Sequence, residues 1–156
     1  MRTHSAIIGL VLPALITGGP VSAADAGGEA NIRLVQQFLA EVRVAATGEN
    51  TAANVRAVAE QYMDADYIQH APGFPPGREG YIQVMSQAMR PPASGGQQSA
   101  GERRALPKDI NFVADGPYVI WVSELPRSGG ALPAKRYMFN MFRIENGKFK
   151  EHWDSE

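Results

Sequence analysis

Cysteine is absent from the 156-residue chain. That removes disulfides, thiolate metal sites, iron–sulfur clusters and cysteine nucleophiles at once. Histidine is nearly as scarce: His4, His70 and His152 are the only three. Chemistry that needs an imidazole has few places to sit. An excess of one charge is missing too. Fifteen Lys and Arg against sixteen Asp and Glu give a net charge of −1. No basic face is implied, so nucleic acid is a poor partner. No Gly-rich phosphate loop follows a strand pattern, and no His-x-x-x-His or Glu-x-x-His spacing offers a metal site. Neither a metal nor a cofactor is expected. What is present is an ordinary globular composition, 44% apolar and 20% charged, in a length that suits one domain.

The first 23 residues read as a targeting segment. Arg2 gives a positive start, residues 6–16 form an apolar run broken by Pro13, and Gly18-Gly19-Pro20 bends the chain. Val21-Ser22-Ala23 then has the small-x-small form of a cleavage site. A spanning helix needs ~20 apolar residues, so a signal peptide fits better than a membrane anchor. The expectation is cleavage after Ala23, a periplasmic or secreted product, and no membrane association afterwards. Residues 24–30 are small and Gly-containing and read as a flexible leader, with the folded domain over 31–156.

Apolar residues at helical spacing mark a first helix. Ile32, Val35, Phe38, Leu39 and Val42 form its stripe, Asn31 is available as its cap, and it ends near Thr47-Gly48. A second helix starts at Asn50 or Thr51, with Val55, Val58, Ala59 and Tyr62 apolar. Residues 66–70 form a short extended piece, stopped by a Pro/Gly turn over 71–77. A third helix covers 78–89, and 90–107 shows no periodicity and reads as a mobile loop. Strands follow over 109–114, 118–125, 136–145 and 148–154. Asn146-Gly147 between the last two is a strong hairpin signal, because a type I′ turn needs positive φ at both positions. Helices followed by strands indicate α+β.

That turn sets an expected register. Phe142 faces Glu151, Met141 faces His152, Asn140 faces Trp153 and Phe139 faces Asp154. Alternation then puts Met138, Asn140, Phe142, Ile144, Phe149, Glu151 and Trp153 on one face, with Tyr137, Phe139, Met141, His152 and Asp154 on the other. One bulge would exchange the faces. Both faces are apolar near the far end, so a homodimer through the outer one is expected. The polar misfits Asn140, Glu151, His152 and Asp154 are candidates for chemistry. A carboxylate among aromatics has a raised proton affinity, the condition for a general base near neutral pH.

These residues also carry a family resemblance. Tyr67-Ile68-Gln69-His70-Ala71-Pro72, then Gly77-Arg78-Glu79-Gly80, then Phe142-Arg143-Ile144-x-Asn146-Gly147-Lys148-x-x-Glu151-His152-Trp153-Asp154 resembles the SnoaL-like polyketide cyclases of the nuclear transport factor 2-like superfamily. The resemblance implies a cone: a curved antiparallel sheet wrapped around three helices, a cystatin-like α+β barrel with an apolar pocket. It implies that Asp154 is the acid/base residue of an aldol ring closure and that His70 lines the pocket. The chain departs from the family where Phe139 and Met141 stand opposite the closing Asp in the expected register.

The expected function is an exported protein that binds a small apolar carbonyl compound. Its chemistry would be proton transfer next to the carbonyl, as in aldol condensation, isomerisation or dehydration. Asp154 is the expected base, with His70 and His152 donating to the developing enolate. Tyr67, Gln69, Trp121, Tyr137, Glu151 and Trp153 are the expected lining. The alternative is a non-catalytic ligand-binding or protein-interaction module of the same fold. Whether His70 and Asp154 share one cavity separates the two.

Overall fold

A computed structural model describes residues 23–47, 49–88, 107–125 and 135–155. Three helices are followed, around one early strand, by four more strands: α1 (Ala23–Thr47), α2 (Thr51–Tyr62), β1 (Met63–Gln69), α3 (Gly77–Ala88), β2 (Lys108–Asp115), β3 (Tyr118–Glu124), β4 (Tyr137–Glu145) and β5 (Lys148–Ser155). The expected signal segment lies outside the described residues, apart from Ala23. The expected mobile loop over 90–107 does so too, apart from Pro107. No helix among the described residues is long and apolar enough to cross a membrane.

The expected barrel is corrected by the sheet. Its five strands run β1-β5-β4-β3-β2, so β1 and β2 are edges that do not meet, and the curved sheet stays open. It is also mixed rather than antiparallel. The short piece after α2 returns alongside β5 in parallel, with Gln69 opposite His152. The helices cover one face of this open sheet and are not enclosed by a cone.

Phe38 of α1 is the hub of the core. Its ring lies 4.9 Å from Phe149, 5.5 Å from Tyr62 and 6.0 Å from Tyr81. One side chain thus joins all three helices to β5. The periodic stripe Val35, Phe38, Leu39 and Val42 is buried, as is Val55-x-x-x-Ala59 of α2. The leader expected over 24–30 is the first part of α1 instead. It is held by the β2–β3 turn: Asn31 donates to the Gly116 carbonyl at 3.3 Å rather than capping a helix. A Cβ on Gly28 would stand 3.2 Å from that of Ala114.

The hairpin turn is as expected, with Asn146 at φ 50° and Gly147 at φ 70°. The register is not. A bulge between the Arg143 and Ile144 pairings shifts the rest of β5 by one residue. Glu151 then faces Arg143, His152 faces Phe142, Trp153 faces Met141 and Asp154 faces Asn140. The odd residue is Lys150. Its ammonium reaches Asp64 at 2.8 Å and Asp66 at 3.0 Å on β1, where the β1–β5 register is itself irregular. A cation bridging two carboxylates across the strand gap holds the extra residue in place. A single extra residue inverts every side chain beyond it.

Candidate functional site

The bulge sorts the expected site residues into two groups. On the inner, helix-covered face stand Tyr67 and Gln69 of β1, His152 and Asp154 of β5, Asn140 of β4, and Trp121 and Ser123 of β3. On the outer face stand His70, Glu151 and Trp153, together with Tyr137. His70 and Asp154, expected to act together, are therefore on opposite sides of the sheet. Asp154 is directly opposite Asn140, a polar residue, and not Phe139.

The inner group is a hydrogen-bonded chain across three strands. The Tyr67 hydroxyl donates to Gln69 Oε1 at 3.1 Å. His152 Nδ1 lies 2.9 Å from the same oxygen, and its Nε2 lies 3.1 Å from Asn140 Oδ1. The ring stacks on Phe142 at 4.6 Å. Burial, with a smaller contribution from His70, pulls the His152 pKa down to about 4, so the ring is neutral at physiological pH. A neutral imidazole has one N–H and cannot donate to two oxygens. Gln69 Oε1 is already fixed by the Tyr67 hydroxyl, while the Asn140 amide nitrogen has no partner. The assignment that satisfies most groups puts the ring proton on Nδ1 and turns the Asn140 amide so that its NH2 donates to Nε2. His152 is then neutral, with its one N–H committed to Gln69.

Hydrogen-bonding capacity remains unspent on this face. Gln69 Nε2 and Ser123 Oγ are buried without partners. Burial raises the Tyr67 hydroxyl far above the ordinary phenol range, and the charges of Tyr81 and Asp154 add to this. The indole N–H of Trp121 is committed: it donates to Asp109 Oδ1 at 3.0 Å. Asp109 is gripped in turn by Arg43 of α1 at 2.6 and 2.9 Å.

The outer group is a separate network. His70 Nε2 lies 3.0 Å from Glu151 Oε2, and its ring lies flat on Trp153 at 4.8 Å and 6°. Arg143 Nε donates to Glu151 Oε1 at 2.7 Å. The His70 hydrogen bond, then the Arg143 guanidinium, holds the Glu151 carboxyl below its ordinary range. Tyr137 is on this face, opposite Glu124 and 47% exposed.

Sequence reasoning missed Arg43, Asp109 and Ser123. The Arg43–Asp109 pair spans 66 positions and leaves no local pattern. Ser123 did leave one: it is a small polar residue at an inward position, in step with Val119 and Trp121. Two concavities, of about 470 and 780 Å³, lie between α1 and α2 and between α2 and α3. No expected site residue lines either. No group of three or more metal-ligating side chains is assembled among the described residues.

No protein-family model matches the sequence, and no curated protein does. Solved structures match in shape. A protein of Jannaschia sp. CCS1, named provisionally as a SnoaL-like polyketide cyclase, aligns over 88% of this chain and 90% of its own, with TM-score 0.59 and 15% identity. A de novo designed NTF2 fold protein aligns over 80% and 82%, with TM-score 0.51 and 14% identity. An M. tuberculosis LEH-like epoxide hydrolase aligns over 81% and 82%, with TM-score 0.51 and 15% identity. Identity this low supports the fold and not an activity. The chain therefore has the nuclear transport factor 2-like fold.

Proposed function

We propose that the chain binds a small, largely apolar carbonyl compound against the inner face of the sheet, where Asp154 moves a proton at the carbon next to the carbonyl. One observation carries this reading. Asp154 faces Asn140 on a face shared with Tyr67, Trp121 and His152, and that face keeps buried, unpaired hydrogen-bonding groups on Gln69, Asn140 and Ser123. A buried polar group without a partner costs about 1–3 kcal/mol. Gln69 Nε2 and the Ser123 hydroxyl are donors, so a ligand oxygen is a natural partner for them, and such donors set beside a base would hold the charge of an enolate. His152 contributes by fixing the Asn140 amide. His70 has no part, because it stands on the other side of the sheet.

The test is solvent deuterium exchange into a ketone or β-dicarbonyl ligand. Asp154→Asn keeps the shape and removes the base, so exchange should fall by ~10²–10⁴. His70→Gln should exchange like the unaltered protein. If Asp154→Asn exchanges as fast as the unaltered chain, Asp154 is not the base. The second reading is a non-catalytic small-molecule binding module. It is favoured by the separation of His70 from Asp154 onto opposite faces of the sheet. It stands if a ligand binds and no variant changes exchange.

A further inference from the structure

The inner row that carries Asp154 does not end at Asn140. The strand registers continue it from Asp154 through Asn140 to Trp121. Neighbouring strands stand ~4.8 Å apart, so Trp121 is about 10 Å from Asp154, the reach of a small ligand. The Arg43 guanidinium of α1 lies over the Trp121 ring, 5.9 Å from its centroid. Asp109 of β2, which pairs with Ser123, accepts from Arg43 Nη2 at 2.6 Å and Nη1 at 2.9 Å. The same carboxylate accepts the Trp121 indole N–H at 3.0 Å. Arg43 Nη2 also donates to the Pro107 carbonyl at 3.5 Å. The pair is only partly exposed, 24% for Arg43 and 35% for Asp109, and partly buried charges are screened less than surface ones.

An arginine standing alone at this end of the row would take a carboxylate in its fork. Here the fork is already filled, and a carboxylate of the chain stands where a ligand carboxylate would bind. The row then holds one guanidinium against two carboxylates, Asp109 and Asp154. A ligand that sets its carbonyl beside Asp154 and runs past Asn140 brings its far end to the Arg43–Asp109 pair. A neutral end group meets a neutral pair there. An anionic one meets the charge of Asp109. We infer that Asp109 sets the specificity of the inner site: by occupying Arg43 it admits neutral carbonyl compounds and excludes keto acids. The inference rests on the inner face being the ligand site, as proposed above, and not on Asp154 being the base.

Two compounds test this, 6-oxo-6-phenylhexanoic acid and its primary amide. They share a ketone and four methylenes and differ in the charge of the far end. Their binding to the full chain is measured by titration calorimetry at neutral pH. The unaltered chain should prefer the amide by ~10-fold or more. Asp109→Asn keeps an oxygen for the indole N–H and frees the guanidinium, so the acid should bind ~10-fold tighter or more while the amide changes little. Arg43→Gln leaves Asp109 unopposed, so the acid should bind more weakly still. Both substitutions break the same ion pair, so a merely structural role would move the acid the same way in both. If Asp109→Asn fails to fold, the preference of the unaltered chain and the response of Arg43→Gln decide the matter. An acid-to-amide ratio that Asp109→Asn leaves unchanged overturns the inference. So does a ratio that shifts the same way in both variants, or a chain that binds neither compound. Deuterium exchange at the methylene next to the ketone reports on Asp154 separately. If Asp154→Asn exchanges as fast as the unaltered chain while the ratio still reverses, the base assignment fails and the specificity stands.

Discussion

His152 makes the fold sensitive to mild acid. Its pKa in the folded chain is about 4, against 6.5 for an ordinary imidazole, because burial disfavours the charged ring. The two hydrogen-bond partners are neutral amides, which do not offset that penalty. Below pH 6.5 the unfolded chain takes up a proton that the folded chain refuses. Stability is therefore full above that pH, falls as pH drops toward 4, and loses nothing more from this group below it. A shift of this size corresponds to about 3 kcal/mol over the window, of which about 2 kcal/mol is lost by pH 5. The perturbation is His152→Gln, which keeps a polar side chain but cannot titrate. Urea unfolding at pH 7, 6 and 5 should show the unaltered chain losing about 2 kcal/mol more than the variant. Depressed carboxylates such as Glu151 and Glu79 also lose stability in acid, but they are present in both proteins and cancel in the difference. Nitrogen-15 spectra should show the ring neutral at pH 6, with the proton on Nδ1. Superimposable pH profiles, or a ring that titrates above pH 6, would refute the reasoning.

Two further substitutions test the packing around the site. Gly80→Ala should destabilise the fold by ~2 kcal/mol or more in thermal or urea unfolding, since the added Cβ would stand 1.9 Å from the Pro75 carbonyl oxygen, a backbone atom that cannot swing aside. An unchanged melting temperature would mean that the 71–76 turn yields freely. Ser123→Ala removes a fully buried hydroxyl that has no partner. It should leave stability unchanged or raise it by up to ~1 kcal/mol, while weakening the binding of a carbonyl ligand. A loss of stability would show that the hydroxyl is already paired.

The local elements were legible because local patterns encode them. The stripe from Val35 to Val42 places a buried face through a period of 3.6 and the Asn146-Gly147 turn marks its hairpin, and both are observed within a residue or two. Asn140 and His152 were also legible as polar residues on apolar faces. Their partners were not. The face on which His152 and Asp154 stand depends on whether Lys150 is counted in the ladder. That is decided by its contact with Asp64 and Asp66, more than eighty positions earlier in the chain. The sequence by itself determined the elements and the core stripe, because these rest on periodicity and turn chemistry. Only the tertiary structure decided that the sheet is open and mixed, that β1 runs parallel to β5, and that His70 is parted from Asp154. Strand order and register are set by contacts between distant segments, and a one-residue shift reverses every side chain beyond it.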